Sequence, residues 1–130
     1  MSAVSAGEFV GQLLHAVTVA HVLHLRTGSF SQHKALEELY EGLQDSVDEF
    51  AEAYQGSYGM IEDYPASLGM PELPRGPMLL PSAPVEWLAT LSQFVQEGRK
   101  SMPQDSELQN LVDEIQGLID RANYRLTFLS

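Results

Sequence analysis

Apolar residues recur at helical spacing in four stretches of the chain, and residues that stop helices separate these stretches. The first stretch covers residues 8–26 and the second about 31–54. The third covers about 84–102, and the fourth begins at Asp105 or Ser106 and continues to about residue 126. The pattern therefore predicts an all-α fold of four helices. Leu43 and Phe50, on the apolar face of the second helix, are predicted to lie in the core.

The ends of the first two predicted helices carry residues that are typical of helix caps. Gly28 suits a left-handed residue that ends the first helix. Ser29 or Ser31 suits the cap that begins the second helix. Gly56 is the predicted stop of the second helix.

The segment of about residues 56–83 separates the second helix from the third and is rich in glycine and proline. No long helix continues through that many helix breakers. A single long crossover that runs the length of a four-helix bundle explains a connection of this size. We therefore predict one helical domain over residues 1–130, with helices one and two forming one pair and helices three and four the other.

Composition narrows the possible functions. The chain has 130 residues, 44% of them apolar, and it contains no cysteine. Disulfides and zinc–thiolate sites are therefore excluded, and a reducing cytoplasm is the expected location. The formal net charge of −11 disfavours direct binding to nucleic acid, because phosphate groups and an acidic surface repel each other. No apolar stretch is long enough to cross a membrane, and residues 1–7 do not resemble a signal peptide.

One histidine and two acids stand at informative distances. Asp48 and Glu52 are four residues apart, so they share a face of the predicted second helix. His33 lies on roughly the same side but about 22 Å away along the helix axis. A second, antiparallel copy of the helix could bring His33 beside Asp48 and Glu52 of the partner subunit. The alternative is that the acid pair is simply solvated helix surface.

Several short motifs resemble two groups of ferritin-like proteins. The first two predicted helices resemble those of Dps-type mini-ferritins, with a His, a Gly-Ser-Phe turn, a second His and an Asp-Glu-x-Ala-Glu signature. A closer similarity is to small ferritin-like proteins encoded by tailed bacteriophages, which extends to the fourth helix. The mini-ferritin resemblance rests on segments 24–30, 33–36, 39–40 and 48–52, and the phage resemblance on segments 24–29, 32–36, 51–56 and 113–126.

The resemblance implies a ferritin-like four-helix bundle and an iron-oxidation site across a dimer interface. It places His33, Asp48 and Glu52 at the metal, with His24 or His21 contributing from the first helix. The turn departs from the mini-ferritin pattern, because His24 and His33 are nine residues apart instead of twelve. That shortening removes His24 from a ligating position or replaces it by His21. The alternative is that both histidines bond the last free carbonyl groups of the helix.

Two functions of different classes follow. The first is a ferritin-like protein, dimeric or larger, that binds iron as its cofactor and oxidises or sequesters it. The second is a non-enzymatic acidic phage protein that uses the same scaffold to bind a basic host protein or to form part of the virion. The first is expected in the host cytoplasm. The DNA binding of Dps proteins is not expected, because residues 1–7 lack the lysines of their tails.

Overall fold

The fold is all-helical in the part of the chain that the computed structural model describes, residues 3–65 and 82–129. The four predicted helices are present there, and each bound lies within four residues of its predicted position. They are α1 (Ala6–Arg26), α2 (Phe30–Tyr58), α3 (Ser82–Ser101) and α4 (Ser106–Phe128).

Serine side chains begin the first two helices. The Ser5 hydroxyl accepts a hydrogen bond from the Glu8 amide at 3.1 Å, and the Ser29 hydroxyl accepts one from the Gln32 amide at 3.2 Å. Each bond satisfies one of the amides that have no partner inside the helix. Ser29 was one of the two predicted caps of α2, and that prediction is confirmed.

The predicted roles of Gly28 and Gly56 are wrong. Gly28 does not have a positive φ, because Thr27 ends α1 in an extended conformation and its hydroxyl accepts the Ser29 amide at 3.2 Å. The helix α2 passes through Gly56 and ends at Gly59, whose φ of 93° suits a residue without a side chain.

The order of the helices around the bundle follows from contacts at one end. The amide of Val4, just before α1, donates to the Ser101 hydroxyl at the end of α3 at 3.0 Å. Tyr58, at the end of α2, donates to Asp105, just before α4, at 2.6 Å. We call this end, where α1 and α4 begin and α2 and α3 end, the proximal end. The opposite end, where α1 turns into α2, is the distal end.

Because α2 and α3 both end proximally, the two helix ends that the crossover was predicted to join lie at opposite ends of the bundle. Helix α1 packs against α2, α2 against α4, and α4 against α3. The four helices thus form a bundle. Most of the predicted crossover lies outside the described residues, and Met60 and Tyr64, which lie within them, are exposed.

The core is built around aromatic rings from three helices. Phe9 is fully buried, and its ring centroid lies 5.4 Å from that of Phe50 and 5.8 Å from that of Phe94. A Cβ added at Gly98 would overlap the Phe9 ring, so α3 approaches α1 closely at this point. Leu43 and Phe50 are fully buried, as predicted. In the described part of the chain, no helix combines the length and apolar character needed to cross a membrane.

Candidate metal site at the distal end

A three-residue turn, residues 27–29, brings the last turn of α1 against the first turn of α2. The Thr27 amide donates to the Leu23 carbonyl, which completes the end of α1. The Thr27 hydroxyl donates to the side-chain oxygen of Gln32 at 2.6 Å, and Gln32 is buried. These bonds tie the turn to both helices, so side chains on the facing turns are held close together.

His24 and His33 bond to each other reciprocally across this turn. Nδ1 of His24 lies 2.7 Å from the His33 carbonyl oxygen, and Nδ1 of His33 lies 2.9 Å from the His24 carbonyl oxygen. Their rings stack with centroids 3.6 Å apart and planes 22° apart. His33 thereby satisfies a carbonyl in the last turn of α1, which lacks a donor from its own helix.

The two carbonyl bonds determine which nitrogen of each ring carries the proton. A carbonyl oxygen can only accept, so Nδ1 of both His24 and His33 must be the protonated donor. In a neutral ring, Nε2 then carries the free lone pair. A histidine whose Nδ1–H is held by a carbonyl and whose other nitrogen is unprotonated is the arrangement typical of metal ligands.

Glu37 brings a carboxylate to the two histidines. It lies one turn after His33 on α2, and one ligand atom from each of Glu37, His33 and His24 lies within 4.8 Å of the others. His24 is buried, whereas His33 and Glu37 are half-buried. Lys34 forms an ion pair with Glu37 at 2.8 Å. That hydrogen bond is the main reason why the pKa of Glu37 is lowered, and the two histidines contribute less.

Two imidazoles and one carboxylate form a ligand set that first-row transition metals accept. The same combination binds zinc in some hydrolases and iron(II) in non-haem oxygenases, with coordination positions left open. Ligands bonded to one ion at about 2.1 Å lie at most about 4.2 Å apart. The ligand atoms of this group, which lie within 4.8 Å of one another, are therefore close to the spacing that one ion requires.

His21 is not part of this group. It is exposed, and its ring stacks on that of Tyr40 with centroids 4.2 Å apart. Tyr40 also meets the edge of His24, with centroids 5.3 Å apart, and burial is the main cause of its raised pKa. Of the two histidines predicted as alternatives on the first helix, His24 is the one that lies beside His33 in the described fold.

Asp48 and Glu52 are exposed on α2, far along the helix from His33. Within one chain these residues do not come together, as the spacing predicted. Their grouping with His33 of a partner subunit stays a prediction. Glu37 was not singled out in the sequence, although its separation of four residues from His33 is a signal that could have identified it.

Four other ionisable residues of the described fold have different surroundings. Asp113 forms an ion pair with Arg99 at 2.7 Å, whereas Glu114 and Asp120 are exposed. His15 is half-buried, and its Nε2 is buried without a hydrogen-bond partner beside a cavity of about 200 Å³ between α1 and α3. None of these residues joins the group of His24, His33 and Glu37.

Comparison with known proteins gives a family but no activity. The chain is 26% identical over 125 residues to an uncharacterized 14.6 kDa protein in the mobD-ri intergenic region of Enterobacteria phage T4, covering 94% of this chain and 88% of that protein. This similarity fits the phage origin that the sequence motifs imply. No solved structure matches the chain. A family profile matches residues 24–126, and the chain therefore belongs to the family of unknown function DUF5856.

Proposed function

We propose that this protein binds a divalent transition-metal ion through His24, His33 and Glu37, and that this ion is iron(II). The observation that carries the proposal is the reciprocal pair of carbonyl bonds. They hold both Nδ1 atoms as donors and leave the Nε2 lone pairs of the two rings free, and Glu37 brings a carboxylate to the same group. Iron(II) suits this set, because oxygen ligands tolerate both iron oxidation states and histidine nitrogen is a borderline ligand.

The ferritin-like form of the proposal adds a second chain. In it, His33 binds iron together with Asp48 and Glu52 of the partner subunit, and iron is oxidised or sequestered at a two-fold interface. The packing of the four helices is compatible with such a scaffold, and the exposure of both acids leaves them accessible to a partner. Both forms use His33, so substitutions at the carboxylates distinguish them.

The test is an anaerobic titration of the purified protein with Fe(II), and with Co(II) as a spectroscopic probe, together with the oligomer mass. His33→Asn is the central variant, because the Asn amide can donate to the His24 carbonyl as Nδ1 does but has no counterpart of Nε2. His21→Asn is the matched control, since it removes an exposed histidine of the adjacent turn. We expect the first variant to lose metal binding and the second to retain it.

The carboxylate variants assign the site. Glu37→Gln should abolish binding if one chain supplies all three ligands, and the double variant Asp48→Asn/Glu52→Gln should then have no effect. The reverse result supports the interface site, and it should coincide with a dimer or larger oligomer. Oxygen-dependent formation of Fe(III) in the wild type, absent from the variant that loses the metal, would support iron oxidation.

A wild type that binds neither ion above the buffer background in any oligomeric state would contradict the metal-binding proposal. The non-enzymatic interpretation, an acidic phage protein that binds a basic host protein or belongs to the virion, would then be the better one. His24, His33 and Glu37 would in that case serve only to fasten the turn between α1 and α2.

A further inference from the structure

A second feature lies at the proximal end, away from the metal-site candidates. An open cleft of about 600 Å³ lies between the segment before α1, the end of α2 and the turn from α3 to α4. Its volume falls in the range of pockets that bind small molecules or side chains of a peptide. The cleft is formed by three separate parts of the chain, so the fold must be intact for it to exist.

One wall of the cleft is aromatic. Tyr54 and Tyr58 lie one helical turn apart, with ring centroids separated by 5.2 Å. The Tyr58 hydroxyl donates to Asp105 at 2.6 Å, which fixes the ring and is the main cause of its raised pKa. Tyr58 is nevertheless 52% exposed, and the neighbouring Met60 is 75% exposed. A flat, exposed ring that is held in place offers its π-face to a ligand at little entropic cost.

Another part of the lining is acidic, and a buried neighbour fixes its position. Glu62 and Asp63 line the cleft and are exposed. They follow Ile61, which is buried and whose amide donates to the Gln55 side chain at 3.1 Å. Among the described residues that line the cleft, none is basic. With a net charge of −11 for the whole chain, the electric field in the cleft favours a cation.

We propose that this cleft binds a basic segment of a protein partner, with an arginine side chain against Tyr58 and its guanidinium near Glu62 and Asp63. The charge complementarity and the aromatic wall together specify this occupant. A guanidinium is planar, stacks on aromatic rings and forms paired hydrogen bonds with carboxylates, whereas a lysine ammonium does only part of this. The proposal is independent of metal binding at the distal end.

The test is fluorescence anisotropy of the full-length protein with a short labelled peptide of alternating arginine and glycine, at low ionic strength. A lysine–glycine peptide and a glutamate–glycine peptide serve as comparisons. We expect saturable binding of the arginine peptide, about two- to fivefold tighter than of the lysine peptide because of the aromatic contact. The glutamate peptide should not bind.

Variants distinguish peptide binding in the cleft from attraction of the peptide to the acidic chain as a whole. The double variant Glu62→Gln/Asp63→Asn should lower the affinity for the arginine peptide about three- to tenfold, because each exposed ion pair contributes modestly. The control Asp45→Asn/Glu49→Gln removes the same charge from the exposed face of α2 and should change binding less than about twofold. Asp63 packs on Gly7, so the double variant could disturb the fold as well as the charge. Glu62→Gln alone is therefore the second variant, and circular dichroism checks its fold.

Tyr58 gives an independent readout. Tyr58→Leu should remove the preference for arginine over lysine, whereas Tyr58→Phe, which keeps the ring, should retain it. In amide NMR spectra, the peptide should shift the resonances of residues 58–63 and leave those of His24 and His33 unchanged. The proposal would be overturned if Glu62→Gln/Asp63→Asn and the control double variant weakened peptide binding equally. It would also be overturned if Tyr58→Leu still bound the arginine peptide more tightly than the lysine peptide.

Discussion

Two helical glycines provide a sharp test of how α3 packs on α1. Gly98 lies in α3, where an added Cβ would overlap the ring of Phe9. Gly56 lies in α2, where an added Cβ would meet nothing within 4 Å. Alanine is favoured over glycine in a helix by about 0.8–1.0 kcal/mol at either position. The difference between Gly98→Ala and Gly56→Ala therefore isolates the effect of the overlap.

The magnitude follows from the surroundings of Phe9. Its ring is fully buried between Phe50 and Phe94, so it cannot move aside without displacing another ring. Overfilling a packed core of this kind costs about 1–3 kcal/mol. We expect Gly56→Ala to raise the free energy of unfolding by up to about 1 kcal/mol. The free energy of unfolding of Gly98→Ala should be about 1–3 kcal/mol lower than that of Gly56→Ala.

Urea denaturation followed by circular dichroism measures both values. Gly98→Ala combined with Phe9→Leu provides a check, because a smaller and more flexible side chain should accommodate the new methyl group. The loss caused by Gly98→Ala should then be smaller in the Phe9→Leu background than in the wild type. Variants at Gly98 and Gly56 with equal stability would refute the close approach of α3 to α1.

Four further predictions concern the core, the cap and the metal site. Phe50→Ala should lower the free energy of unfolding by about 3–5 kcal/mol in denaturant titrations. A loss below about 1 kcal/mol would mean that this face of α2 does not face the core. Ser29→Ala should cost about 1 kcal/mol in the same assay, because the Gln32 amide loses its acceptor. Lys34→Met should raise the pKa of Glu37 in an NMR titration, because the variant removes the ion pair that lowers this pKa. In the wild type, the ion pair stabilises the fold above the ordinary pKa of glutamate. This stabilisation is lost as the pH falls through the lowered pKa of Glu37. The same variant should tighten Co(II) binding by about two- to fivefold, because Lys34 no longer competes for the carboxylate. Unchanged affinity would mean that Glu37 is not a ligand.

The four helices could be predicted because their signals are local. Apolar residues at helical spacing, together with the cap at Ser29, mark the elements without any knowledge of the tertiary fold. The end of α2 was predicted at the wrong glycine for a physical reason. Gly56 weakens a helix but does not end it, whereas Gly59 has the positive φ that stops it. The sequence contains both glycines and does not reveal their backbone angles.

The candidate site was harder to predict than the fold. His33 was singled out by its spacing to Asp48 and Glu52, and His24 by the resemblance to mini-ferritins. Glu37, however, stands in a run of acids with Glu38 and Glu41 that is typical of a solvated helix face. Only the fold distinguishes these acids. Glu38 pairs with Arg125 of α4 at 2.8 Å, whereas Glu37 faces the two histidines. Which acid faces which partner depends on how α2 is rotated against α1 and α4.

The short turn explains why His24 and His33 meet at all. His24 lies two residues before the end of α1 at Arg26, and His33 lies three residues after the start of α2 at Phe30. Nearly symmetric positions on either side of a three-residue turn place the two side chains at the same level, so each can reach the other's carbonyl. Three more residues in the turn, as in the mini-ferritin pattern, would separate the helix ends and remove this symmetry. The nine-residue separation is therefore the feature that makes reciprocal bonding possible. Since the same bonds fix the proton on both Nδ1 atoms, the contact that closes the turn also leaves the two Nε2 atoms available for the metal binding that we propose.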